Sequence, residues 1–221
     1  LFAEMAVRSS LIVPGDPAAT VRAIAGNETL WRWGLTVHLF YLLPALVVNV
    51  LVYELLKSVQ ATLARLALAF ALTSVAVEAV SLLQMYVPVT LLQEGDTLDG
   101  PDEALAYLAV RLFPAGFAIA LLLFAGFCGL VGVLILRSRR VPRVIGALMV
   151  TAGVCYVINT LTFMVAPEVQ ERLVPLILLP IVVGELSLAL WFLIRGDRLG
   201  DRREPATSAH QGSMNTSMRS R

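Results

Sequence analysis

Along most of the chain the hydrophobic residues do not alternate with polar ones. They run on in stretches of roughly twenty or more, without the polar stripe every three to four positions that marks a helix resting on a water-soluble core. Five runs are long enough to cross a hydrocarbon layer of about 30 Å at about 1.5 Å per residue. They cover Trp33 to Leu56, Leu63 to Val87, Ala104 to Leu136, Val141 to Val165 and Leu173 to Ile194. The pattern predicts an all-α, polytopic transmembrane helix bundle with five spans present. The third run exceeds what a crossing needs. Because Pro114 removes a backbone hydrogen bond inside it, Ala104 to Phe113 is expected to form an interfacial turn set at an angle, with Pro114 to Leu136 crossing.

Composition fixes the solvent. The chain is 58% apolar and 15% charged, against roughly one quarter charged in soluble domains, so it cannot cover its apolar surface in water. Membrane lipid is its first expected partner. A net charge of +1 carries no nucleic-acid footprint. Cys128 and Cys155 lie inside apolar runs, which points to packing rather than a disulfide. The chain has no HExxH, GxSxG, Walker loop or CxxC, so no metal, cofactor or catalytic residue is expected, and an enzyme is the least supported class.

Where the basic residues fall sets the expected orientation, because cytoplasmic loops retain Lys and Arg. Lys57 and Arg65 flank one turn, Arg137, Arg139, Arg140 and Arg143 crowd another, and Arg195, Arg198, Arg202 and Arg203 follow the last run. The alternate loops are acidic, with Glu94, Asp96, Asp99, Asp102 and Glu103 in one and Glu168 and Glu171 beside Arg172 in the other. This places residues 6–32 outside and the C-terminus in the cytoplasm. The organisation is an outer N-terminal segment (1–32), the bundle (33–195) and a disordered basic cytoplasmic tail (196–221), whose Arg, Ser, Thr and Gly show no apolar period. In the outer segment, Asp16 is a good N-cap and Pro17 suits the first helical position, predicting a short helix from Pro17 to about Ala25 that Gly26 and Asn27 stop. Trp31 and Trp33 stand where an aromatic belt anchors the next span. Leu1 to Met5 lacks a signal peptide's basic start and cleavage site and reads as the last turn of a preceding helix, which would make six spans.

Three stretches bear a family resemblance: RSSLIVPGDPAATVRAIAGNETLWRWG at Arg8 to Gly34, LRSRRVPRVIGALMVTAGVCYVIN at Leu136 to Asn159, and GELSLALWFLIRG at Gly184 to Gly196. On these the chain resembles a domain-of-unknown-function family of uncharacterised bacterial multi-pass membrane proteins, over nearly its whole length to Gly196. The resemblance implies a six-helix bundle in a bacterial inner membrane, with a further helix before the LIVPGD segment. Relatives often carry histidine in the stretch matching Phe113 to Phe127, where this chain is apolar, so a metal or proton role built on those histidines is not carried over. The resemblance brings no activity or cofactor.

Candidate chemistry rests on the polar residues inside the runs, each of which costs at least about 2.5 to 3.5 kcal/mol to insert and so requires a partner, water or a task. His38, Asn49, Glu54, Glu78, Gln84, Arg111, Asn159 and Glu185 qualify. His38, Glu78, Arg111 and Asn159 fall in the outer half and Glu185 near the middle, so these five are expected to converge on an outward-opening polar pocket, with Glu78 and Arg111 as its ion pair. Glu54 reaches the cytoplasmic edge beside Lys57. The glycines Gly126, Gly129 and Gly132 recur every three residues, and Gly146 and Gly153 follow one helix later, a pattern expected to pack the third and fourth spans closely, with a homo-oligomer face as the alternative. Two functions follow. One is a membrane protein that binds or passes a small solute, ion or lipid through that pocket. The other is a structural or sensory component whose polar residues only hold helices together, with the basic tail touching anionic lipid.

Overall fold

In a computed structural model, residues 7–94, 100–138 and 141–195 are described. The side chain of Glu94, the acids Asp96 and Asp99, the arginines Arg139 and Arg140, residues 1–5 and the tail from 196 onward lie outside the described residues.

The described residues are helical, in seven elements: α1 (Ser9–Leu11), α2 (Pro17–Gly26), α3 (Glu28–Leu56), α4 (Ala61–Glu94), α5 (Pro101–Arg137), α6 (Arg143–Val165) and α7 (Pro167–Arg195). The last five are each long and apolar enough to span a membrane. A span must be helical because hydrocarbon offers its N–H and C=O groups no other partner. The same demand carries the helices beyond their apolar runs. At the start of α3, Arg32 pairs with Glu28 at 2.5 Å, one turn apart, and the helix begins at Glu28 rather than at Trp33.

The proline-marked break is absent. α5 runs unbroken through Pro114, and α7 runs through Pro175 and Pro180. Pro114 deletes one backbone bond, and the turn around it is held by Val110, Phe113 and Ala118, all buried against neighbouring helices.

The N-terminal segment folds through its caps. Gly15 turns the chain at φ 79°, a left-handed conformation that favours glycine, and Asp16 then accepts a 2.9 Å bond from the Ala19 amide to open α2. Thr20, fully buried, accepts from the Val13 amide at 3.0 Å and has the Val13 and Asp16 carbonyls within hydrogen-bond range of its hydroxyl at 3.0 and 2.9 Å. That knot presses Val21 and Ile24 onto the ends of α4 and α5. Trp31 faces the bundle interior rather than its outer surface. It is buried and donates from Nε1 to the Met85 carbonyl at 2.9 Å, whereas Trp33, two residues on and facing the other way, is 62% exposed.

Sequential spans are neighbours: α3 packs on α4, α4 on α5, α5 on α6 and α6 on α7. α5 is the most covered span and α3 the least. Among the described residues α3 and α7 make no close backbone approach. Their outward surfaces are apolar, with Phe40, Leu176 and Leu193 each more than half exposed, as lipid-facing helices require.

The glycines act on two different faces. A methyl at Gly132 would strike the Gly146 carbonyl, and one at Gly153 the Ala125 carbonyl and Gly129 amide, so α5 and α6 touch backbone to backbone there. Gly126 faces Phe70 of α4 instead. Three residues advance about 300° around a helix, so a row with that spacing drifts by about 60° per step and leaves the α6 face.

Candidate functional site

The polar residues inside the bundle form separate pairs rather than one converging set. His38 of α3 and Glu78 of α4 meet with Nε2 and Oε1 2.7 Å apart, each side chain 14% exposed. The imidazole stands between two ring edges, with Tyr41 at 6.3 Å and Phe113 at 6.2 Å between centroids. Arg8, from the segment before α3, lays its guanidinium over the Phe113 ring, 4.3 Å from the centroid, so a cation adjoins the pair across an aromatic ring. Val7, Arg8, Trp31, His38, Met85 and Phe113 are among the residues lining a cavity of about 10 Å³. That is at the lower limit of the space one water needs. Gly34 also lines this cavity: Val7 sits so close that a methyl on Gly34 would lie 2.9 Å from Val7 Cγ1.

The second pair joins α6 to α7. Tyr156 donates its hydroxyl to Glu185 Oε1 at 2.5 Å. Gly184 permits this: a methyl there would lie 3.0 Å from the Leu148 carbonyl, so the helices approach closely just where the glutamate reaches across. Tyr156 in turn meets Phe124 of α5 edge-on, centroids 5.6 Å apart and planes at 78°. Tyr41 of α3 is 60% exposed beside this half of the bundle, its ring edge-on to His38.

The third pair bridges the α6–α7 turn, where Gln170 Nε2 donates to Asn159 Oδ1 at 3.2 Å. It ties two consecutive helices at their junction. Arg111 pairs with none of these groups. The partner of Glu78 is His38, because Arg111 and Phe113 are about 200° apart around α5, and with Phe113 turned to His38, Arg111 is exposed on the far side. Asn49 is buried near the other end of α3, and Glu54 pairs with Lys57 at 2.6 Å. Buried Cys128 and half-buried Cys155 are free thiols. No group of three or more metal-ligating side chains occurs among the described residues.

A family model described as a domain of unknown function, DUF4386, matches residues 1–196. The chain belongs to the DUF4386 family. Neither the curated proteins nor the solved structures give a match. The DUF4386 match takes in all seven described helices and therefore both ionisable sites. Sequence reasoning did not single out Arg8, Tyr41, Tyr156 or Gln170 in this DUF4386 chain. Arg8 had a signal, as the first residue of the most specific resembling stretch. The tyrosines had none, since an aromatic residue in an apolar run reads as packing until its hydroxyl's partner is known.

Proposed function

We propose that this DUF4386 protein is a proton-responsive membrane component, and that the His38–Glu78 pair is the site that gains and loses the proton. The observation that carries the reading is a histidine and a glutamate in direct contact between two spans, each 14% exposed, beside a cavity of about 10 Å³. A solute or lipid needs room, and a proton needs only a titratable pair. Histidine is the side chain whose ordinary ionisation falls between about pH 5 and 8, where a membrane protein meets changing pH. The charge distribution supports a C-terminus in the cytoplasm, which sets His38 and Glu78 in the outer half, and the family resemblance implies a bacterial inner membrane. The sensor then reads the outer medium, and Arg8 over Phe113 is placed to respond when the net charge of the pair changes. Glu185, Asn159 and Arg111 lie outside this unit.

Histidines are few enough for a direct test: His38 and His210 are the two in the chain. Protein labelled with ¹⁵N-histidine is reconstituted in lipid nanodiscs and the ring nitrogens are followed across a pH series, with His38→Asn assigning the signals. The expected result is a His38 ring that changes protonation state within the series, with a response that differs in Glu78→Gln. A His38 ring that keeps one protonation state throughout would refute the proposal. The pairing of polar groups would then favour the second reading, in which they serve as interhelical bonds and no more.

A further inference from the structure

The geometry points to a second site, independent of the first, for a lipophilic organic cation of the quaternary ammonium or phosphonium type, held by Glu185 with the rings of Tyr156 and Phe124. Two aromatic rings meeting at 78° with centroids 5.6 Å apart present two walls of a corner. The Tyr156 hydroxyl fixes a carboxylate at the edge of that corner, 2.5 Å away. A ring face attracts a cation through its quadrupole, and a carboxylate completes the attraction, which is how aromatic cages recognise quaternary ammonium groups. All three side chains are partly exposed, so the corner is not sealed. Glu185 engages Tyr156 through Oε1, and its other oxygen has no hydrogen-bond partner among the described residues. Among the described residues α3 makes no close backbone approach to α7, and Tyr41 on α3 is 60% exposed.

Depth selects the ligand. Glu185 is ten residues before Arg195, the last residue of α7, or about 15 Å along the axis, which is mid-membrane for a core of about 30 Å. A lipid headgroup does not reach that level, and neither does a small hydrated amine without losing its water. A cation whose charge is wrapped in hydrocarbon arrives there by partitioning into the bilayer and moving sideways.

The test is binding of tetraphenylphosphonium to the purified, detergent-solubilised protein by equilibrium dialysis, with tetraphenylborate as the anion of matching shape. Tetraphenylphosphonium is expected to bind, and Glu185→Gln to weaken it by at least about tenfold. Phe124→Leu should weaken it several-fold. The proposal is overturned if the wild-type protein does not bind the cation, if Glu185→Gln binds as wild type does, or if tetraphenylborate binds equally well. Should Glu185→Gln fail to run as a folded species on gel filtration, Phe124→Leu decides, because it keeps an apolar side chain and removes only the ring. Unchanged affinity there sinks the idea.

Discussion

Gly132 and Gly129 stand one turn apart on α5, yet replacing each by alanine should give opposite results. A methyl at Gly132 would lie 2.6 Å from Val150 Cγ2, 2.7 Å from the Gly146 carbonyl oxygen and 2.7 Å from the Val150 amide nitrogen. Ordinary contacts of this kind begin near 3.5 Å, and two of the three obstacles are backbone atoms locked in the hydrogen-bond ladder of α6. The helices therefore have to separate, and a gap of even about 0.5 to 1 Å forfeits a quarter to a half of each contact's attraction along the seam. Overpacking of this type costs about 1 to 3 kcal/mol, and the backbone obstruction puts Gly132→Ala at the upper end. A methyl at Gly129 meets nothing within 4 Å. Gly129→Ala should be neutral, or stabilising by up to about 1 kcal/mol through helix propensity. Gly126→Ala belongs between them, since its obstacle is the Phe70 ring at 3.1 Å, which can shift. Unfolding by increasing SDS fraction in mixed micelles, followed by circular dichroism, ranks the three. If Gly132→Ala is no less stable than Gly129→Ala, the α5–α6 backbone contact is not what holds these spans together.

Two further substitutions probe the N-terminal half. Thr20→Val keeps the shape but strips the hydroxyl that serves the Val13 amide in a part-buried knot; a loss of about 0.5 to 1.5 kcal/mol is expected in the same assay, with early proteolysis before α2. A stability within error of wild type would show that water satisfies Val13. Trp31→Phe removes the bond to the Met85 carbonyl and should cost about 1 kcal/mol, in the range of interhelical hydrogen bonds in membranes. Trp33→Phe, on the exposed side, should cost nothing measurable in detergent, and equal losses for the two would refute the assignment of Trp31 to the interior.

The spans, the α2 helix and its Asp16 cap were legible because each depends on composition or on a few consecutive residues. The pairing of Glu78 was not. In a water-soluble helix a polar stripe reports which face is inward, but a lipid-facing helix is apolar all round and its rotation about its own axis is not written in the pattern. Arg111 and Glu78 are at comparable depth and of opposite sign, which is all that sequence offers. What excludes their pairing is the angle between Arg111 and Phe113 on α5. The Gly126 face was obscure for the same reason, because a three-residue spacing looks like a single row until the drift around the helix is compared with the real positions of α4 and α6. Pro114 misled in another way: the broken backbone bond was legible, whereas the buried contacts of Val110, Phe113 and Ala118 that carry the helix through it were not.

Tight packing at the His38–Glu78 site strengthens the proton reading instead of opposing it. In a water-filled pocket, adding one charge beside an arginine would be screened and would move little. At an effective dielectric constant of about 20, a unit charge about 10 Å from another, the scale set by the Phe113 ring between them, is worth about 2 kcal/mol, against a domain's stability of about 5 to 15 kcal/mol. His38 and Glu78 belong to different spans, and Arg8, Trp31 and Met85 line the cavity beside them. A proton added to or taken from the pair therefore changes the forces among α3, α4 and the segment before α3. α3 is the least covered of the five spans among the described residues, so it has the least packing of them to resist that change. A response confined to α3 and the N-terminal segment, with the α5–α6 seam unmoved, is what this distribution of packing requires.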